Sequence, residues 1–427
     1  MYRIGFLCST STQIQTFIPV SQAFQASDIK YLWISLDKYV QADAGKALNR
    51  SQIEFVQFGE YSGRRFTDLS LAEMYRVIRD DLLPQIQDLY DQYHLDALVT
   101  GNDRGLIEKQ FIRLARANCI KTMLIQDGIF WTTEVRSFRK NRRVDNSFKA
   151  YTRDIFKEVL SRALSSLDIS YLAPTYMGQG NCDEIAVMGR STRRILAQRG
   201  VDVERIHVTG QPRFDRVLKS EQSPEDIRRR LDLPDGFIVT VFTSAYGTNL
   251  HSHTLQSKQE RFVNELVQQL EEVNSDSVLL LIKPHPREPL VNYKVPADCT
   301  SVRLLLDASS IDVIAASDVV ISVPSTVIVE TCLYQKPLFV LNLSAPDGQQ
   351  VSERLGLPSG AFREFTIEDC SDPAIWEELL SADKKTSGSV CDDLIMVPEE
   401  GAAVQTADLL LRLLESSDVQ ERNAASS

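Results

Sequence analysis

Short apolar runs alternate along this chain with longer stretches whose apolar positions recur at helical spacing. Residues 3–8 read as a buried strand, and residues 14–24 as a helix behind a Ser/Thr-rich turn at Ser9, Thr10 and Ser11. Residues 31–35 and 53–58 are further strands. A long helix over 69–93 leads to a strand over 95–101 that breaks at Gly101, then to a helix over 108–118 and a strand over 122–125 that runs into Gln126-Asp127-Gly128. After a basic, mostly helical-looking insertion at about 137–180, the pattern resumes with a strand at 185–189, a helix at 191–199 and a strand at 206–210. Strands alternating with helices at this spacing predict a parallel, doubly wound sheet.

A charged, Pro-containing stretch over 220–235 reads as a linker. Beyond it, strands at 237–243, 277–282, 302–305, 318–322 and 338–341, with helices at 256–273, 311–316 and 326–334, repeat the architecture. A chain of 427 residues is too long for one core, since single cores stop growing near about 250–300 residues. The expected fold is therefore α/β, with one Rossmann-like βα domain over 1–218 and a second over 236–400. The amphipathic segment 402–414 is expected to cross back onto the first domain, leaving 415–427 as a polar tail.

Net charge is −11 and the pI is near 5.1, a balance that repels phosphate backbones and argues against a nucleic-acid partner. Locally the sign reverses at Arg136, Arg139, Lys140, Arg142 and Arg143, which fit peripheral contact with anionic lipid, a polyanionic acceptor, or a solvated basic loop. The seven cysteines are scattered and form no C-x-x-C pair, which argues against a disulfide framework and a zinc site. The N-terminal apolar run is too short for a signal peptide, and nothing approaches the roughly 18 apolar residues of a membrane span. The expected compartment is the cytoplasm, with any membrane contact peripheral at its inner face.

Chemistry concentrates where strands end, which is where open α/β sheets bind ligands. Lys283-Pro284-His285-Pro286 leaves a buried strand with a cation and an imidazole between two prolines of fixed φ, a stiff loop suited to a leaving phosphate or to a plain strand-end turn. Ser325 and Thr326 open a helix and can cap it or face an anion. Glu330, one turn further on the same face, can accept from ribose hydroxyls. Asp127 follows an apolar strand and precedes Gly128, as a cleft-facing carboxylate or a turn-forming one. Asn102, Asp103 and Arg104 end another strand, to orient an acceptor or to build the turn. Ser244 and Tyr246 close the first strand of the second domain, against a donor or as a βα turn. Arg213 and Asp215 read equally as an interdomain salt bridge or as site residues. His251 and His253 lack a third ligand pattern, and no Asp-x-Asp pair lies near a strand end, so neither a divalent metal nor another cofactor is expected.

Lys283-Pro284-His285-Pro286, Ser325-Thr326 with Glu330, and Lys336-Pro337 together resemble the donor-nucleotide half of GT-B glycosyltransferases. The likeness is to bacterial sialyltransferases and CDP-glycerol glycerophosphotransferases of surface (capsule) polysaccharide synthesis, and more distantly to UDP-N-acetylglucosamine 2-epimerases. The segment 208–215, with Gly210-Gln211-Pro212-Arg213-Phe214-Asp215, is similar to the Gly-x-Pro-Arg-x-Asp segment before the second domain in this group. The resemblance implies a donor-binding second domain and an acceptor-side first domain. It assigns donor-phosphate contact or leaving-group assistance to His285, with further phosphate contacts at Ser325 and Thr326. It also implies a general base at Asp127. The acidic-acidic-Gly motif of the sialyltransferases is matched here only by Asp127-Gly128, because Gln126 replaces the first acid.

The expected function is transfer of a sugar or polyol phosphate from a CMP-, CDP- or UDP-linked donor to a polysaccharide or glycan acceptor, without metal. A UDP-sugar 2-epimerase or hydrolase and a non-catalytic nucleotide-sugar-binding protein are the alternatives.

Overall fold

The structure, a computed structural model, describes residues 1–24, 28–40, 43–59, 69–132, 176–215, 222–249, 252–273, 277–285, 287–288, 293–295, 299–343, 350–382 and 388–425. The basic cluster at 136–143, most of the expected insertion, His251 and Pro286 lie outside the described residues.

Two parallel sheets form the frame. The first contains β1 (Tyr2–Cys8), β2 (Ile29–Ser35), β3 (Phe55–Gln57), β4 (Ala97–Thr100), β5 (Lys121–Ile125), β6 (Glu184–Val187) and β7 (Ile206–Val208), in the order β3-β2-β1-β4-β5-β6-β7. The second contains β8 (Phe237–Phe242), β9 (Val278–Lys283), β10 (Val302–Leu304), β11 (Val319–Ser322), β12 (Leu338–Leu341) and β13 (Arg363–Phe365), in the order β10-β9-β8-β11-β12-β13. Every strand pair is parallel. Helices cover both faces of such sheets, which is why central strands such as β9 are buried along their whole length and read as unbroken apolar runs. The strand order reverses between β1 and β4 in the first sheet and between β8 and β11 in the second. Crevices open beyond the strand ends at these two switch points.

Several segments differ from expectation. The stretch taken for a linker contains a helix, Pro224–Arg230, capped by Ser223, whose hydroxyl accepts from Asp226 N. Ser, then Pro, then two acids is a helix-start signature, and it outweighs the charge of the segment. Arg228 fastens this helix to the second domain, bonding the carbonyls of Ala316 and Gly236 and the carboxylate of Asp318. The long helix of the first domain runs as Leu71–Val77, a π-turn Ile78–Leu82, and Leu83–Tyr93. Pro84, which lacks an N–H, is the second residue after the π-turn. Strand β13 was not foreseen.

The last helix, Ala402–Ala425, extends well beyond the expected 402–414 into the stretch read as a tail. Its Ala407, Leu409, Leu410, Leu413 and Leu414 pack into the first-domain core with Ile4, Phe6, Ile14 and Phe17. Each fully buried leucine contributes about 1.5–3 kcal/mol. Asp215 receives the helix start, its carboxylate accepting from the backbone N–H groups of Ala402 and Ala403 at 2.8 and 2.7 Å. Asp215→Ala leaves those two donors without their partner, and we expect a loss of about 1–2 kcal/mol. A denaturant midpoint equal to wild type would remove this fastening role.

Candidate active site

A cavity of about 580 Å³ lies between the domains, lined from both switch points. Ser9, Thr10 and Gln13 come from the end of β1 and the helix Ser11–Ala23, and Gly101, Asn102 and Arg104 from the end of β4. Ser244 and Tyr246 follow β8, and Pro324 follows β11. Asp127, Gly128 and Trp131 belong to the loop after β5.

Asp127 is held in place by its neighbour. The amide of Gln126, almost fully buried, donates to Gly128 O at 2.8 Å and Thr192 Oγ1 at 3.2 Å, while its oxygen accepts from Met188 N at 2.8 Å. The residue standing in place of the first acid is thus a structural tie across β5 and β6. Gly128 has open space where a side chain would start and no positive φ, so the tight turn expected of it is not sterically required. Gly101 is different, because a Cβ there would meet Gln13 Cγ at 2.6 Å. This close approach seats Gln13, whose oxygen accepts from Ser9 N at 2.7 Å and whose side chain hydrogen-bonds Asp127.

Burial pushes the Asp127 carboxyl up to about 6, against the opposing pull of Gln13 and the Arg213 guanidinium. A carboxylate poised there can accept a proton near neutral pH. Arg213 is mostly buried, its guanidinium 4.5 Å from the Phe214 ring centre and 3.5 Å from Glu330. Glu330 also accepts from Ser310 at 2.8 Å. Glu330 is therefore occupied by an interdomain ion pair, and Arg213 joins Asp127 of one domain electrostatically to Glu330 of the other.

Other expected residues lie elsewhere. Asp103 is fully buried and accepts from Gly178 N and Gly180 N at 3.0 and 2.8 Å, pinning the segment that leads into β6. A Cβ on Gly180 would collide with Asp103 O at 2.1 Å. Asn102 lines the cavity while its side chain caps the next turn, accepting from Arg104 N and Gly105 N and donating to Glu108. Lys283, His285, Ser325, Thr326 and Glu330 are not among the residues lining the Asp127 cavity. Lys283 and His285 sit at the end of β9, and Ser325 and Thr326 follow β11, on the other side of β8, with Glu330 on the helix Val327–Leu333. Lys283 Nζ donates to Leu306 O at 2.7 Å, and burial lowers its basicity. Burial, then the Arg287 cation, lowers that of His285. Ser325 Oγ accepts from Val327 N at 3.3 Å, whereas Thr326 makes no side-chain cap bond.

Sequence reading missed the residues that complete the cavity: Ser9, Thr10, Gln13, Trp131, Arg199 and Arg354. Arg354 of the second domain lies 5.0 Å from the Trp131 ring centre, and its carbonyl accepts from Thr132 N at 2.7 Å. Arg199 donates to the Trp131 carbonyl and lies 4.8 Å from the Tyr176 ring centre. Only the Ser/Thr turn at 9–11 was visible beforehand. With Arg104, these arginines give an acidic protein a cationic cavity in which Asp127 is the one carboxylate among the described lining residues. Such a lining suits a phosphate-bearing ligand.

Residues 178–350 match the family model described as CDP-Glycerol:Poly(glycerophosphate) glycerophosphotransferase. That span of the chain is similar to a glycerophosphotransferase domain. No curated protein matches the chain. Among solved structures, the glycotransferase of kitacinnamycin is similar over 96% of this chain and 98% of that chain, at 14% identity and TM-score 0.63. A calicheamicin glycosyltransferase is similar over 97% and 98%, at 13% identity and TM-score 0.58. The UDP-GlcNAc 2-epimerase of Neisseria meningitidis, bound to UDP-GlcNAc, is similar over 97% and 100%, at 11% identity and TM-score 0.55. At these identities the likeness is one of fold, and the fold is the two-domain GT-B architecture.

Because the folded protein raises the Asp127 pKa above its ordinary value, it binds that proton more tightly than the unfolded chain does. The associated stability is fully present below about 4 and is lost as pH rises through about 6. We expect Asp127→Asn to raise stability at pH 7.5 by on the order of 1 kcal/mol, with the gain vanishing near pH 4. A variant less stable than wild type at pH 7.5 would mark Asp127 as a turn-forming residue.

Proposed function

We propose that the protein is a metal-independent transferase that moves a sugar or polyol phosphate from a CMP-, CDP- or UDP-linked donor to a hydroxyl of a surface polysaccharide or glycan. The observation that carries this reading is Asp127, half-buried and tuned to about 6, at the junction of two domains in a cavity whose described charged lining is otherwise Arg104, Arg199 and Arg354. The glycerophosphotransferase match over 178–350 supports it independently.

In this mechanism the donor nucleotide occupies the second domain beside Lys283, His285 and Ser325, and the acceptor hydroxyl enters the cavity from the first. Asp127 takes the hydroxyl proton as the acceptor oxygen bonds to the donor's sugar carbon or polyol-bearing phosphorus. The bond to the nucleotide breaks, and its electron pair leaves on a phosphate oxygen. Lys283 has three N–H donors and spends one on Leu306 O, so two remain for that phosphate. Arginines and lysine supply the positive charge assigned to a metal in other transferases. Among the described residues, no three His, Cys, Asp or Glu side chains group to hold one. No described helix is long and apolar enough to cross a membrane. Cytoplasmic action with peripheral membrane contact through Arg136, Arg139, Lys140, Arg142 and Arg143 is part of the proposal on sequence grounds.

The epimerase likeness of the fold favours a second reading, in which the cleft admits a nucleotide sugar without an acceptor. Product analysis with and without acceptor separates the two. Asp127→Asn is expected to leave nucleotide affinity nearly intact while transfer falls by about 10²–10⁴-fold. Thermal shifts across CMP, CDP, UDP, GDP and their sugars give the affinity, and a cytidine or uridine nucleotide is expected to stabilise the wild type. Near-normal transfer by the variant would take Asp127 out of the mechanism. Absence of any nucleotide-induced shift would take the donor out with it.

A further inference from the structure

Glu288 belongs to no motif, yet its buried carboxylate gathers five donors. Gln256 and Gln259, on the helix His253–Val273, donate to Oε1 at 2.9 and 2.6 Å. The Tyr293 hydroxyl joins them there, and the Thr243 hydroxyl donates to Oε2. The fifth donor is the backbone N–H of His285, at 3.3 Å from Oε2. Gln259 also clasps the loop after β8, accepting from Ser244 N at 2.8 Å and donating to Ser244 O at 2.9 Å. One carboxylate thereby joins the strand-end loops of β8 and β9, and its partners are all donors, matching an acceptor-only group.

The turn from His285 to Glu288 closes on itself as well. Glu288 N donates to His285 O at 2.9 Å, and Arg287 N donates to His285 Nδ1 at 3.1 Å. A ring nitrogen that accepts an N–H carries no proton, so the neutral imidazole carries its proton on Nε2.

We propose that Glu288 is a positioning residue, which locks the turn after β9 so that Arg287 N–H occupies Nδ1 and His285 presents Nε2–H to the leaving phosphate of the donor. This rests on the donor reading above. His285 then meets the departing charge as a neutral hydrogen-bond donor. The electron pair of the broken bond stays on the phosphate oxygen, and no proton leaves the ring. The charged groups acting on the imidazole are Arg287 and Lys283, which disfavour a second proton, and Glu288, which favours one, with burial adding to the first.

The test is the imidazole nitrogen spectrum of the full chain labelled with ¹⁵N-histidine. The chain has five histidines, and His285→Gln identifies the relevant signal. Wild type is expected to show His285 as the Nε2–H tautomer alone. Glu288→Gln, which sets an amide N–H₂ among donors, is expected to give mixed tautomers and a fall in kcat of about tenfold to hundredfold, with acceptor KM unchanged. Thr243→Val removes a single donor and is expected to do the same in smaller measure if Glu288→Gln does not fold. Gln269→Ala is the control: its amide bonds Cys370 O at 2.8 Å on the same helix, away from the carboxylate, so tautomer and kcat should stay as in wild type. Mixed tautomers in the wild type overturn the proposal. So does a Glu288→Gln protein that melts lower yet keeps both the tautomer and kcat. The spectrum needs no nucleotide, so a locked tautomer in a protein that binds none overturns the donor reading separately.

Discussion

Gln126 directly follows β5, an interior strand of the first sheet, with all of its strong hydrogen-bonding groups engaged. Its N–H reaches Ala186 O at 2.9 Å, its carbonyl accepts from Gln211 at 2.7 Å, and its side chain ties Gly128, Thr192 and Met188 together. A buried amide satisfied on every side is costly to move, because each broken bond leaves a desolvated group behind. The loop that follows can therefore leave the sheet in one direction only. Asp127 faces the cavity in consequence, and Trp131 and Thr132 are delivered to the second domain, where Arg354 receives them.

The interface between the domains is made of such single-residue deliveries. Phe214 and Met188 of the first domain share an apolar cluster with Val329 and Ile395 of the later chain. Arg213, beside Phe214, extends to Glu330. A mostly buried ion pair yields little net stability once desolvation is counted, so its effect here is on geometry. It holds the first turn of the helix Val327–Leu333 in fixed relation to the Asp127 loop.

The strand-to-helix rhythm was legible because both sheets are buried on two faces, and unbroken apolar runs such as 278–283 survive any reading of period. Strand β13 escaped because its three residues, Arg363–Phe365, include two charged ones and carry no such run. Asp127 was legible as an acid at a strand end, but so was Asp103, and the two part company only through Gly178 and Gly180, more than seventy positions away. Arg199, Trp131 and Arg354 carried no local signal, since each matters through partners that the chain brings near only on folding. Glu330 was placed on the correct helix, but its carboxylate is taken up by Arg213 and Ser310.

Among the described residues the chain leaves the first domain after Asp215 and returns before Ala402, and the returning helix supplies Leu409, Leu410, Leu413 and Leu414 to a core begun by Ile4 and Phe6. During synthesis the first domain therefore emerges with an apolar flank that is covered in the folded protein by the helix Ala402–Ala425. Some four hundred residues separate the two sides of that contact, so loop closure across an already folded second domain is the late event in assembly. Until that helix is made, the apolar positions it covers, Ile4, Phe6, Ile14 and Phe17 among them, lack their partners from the returning segment.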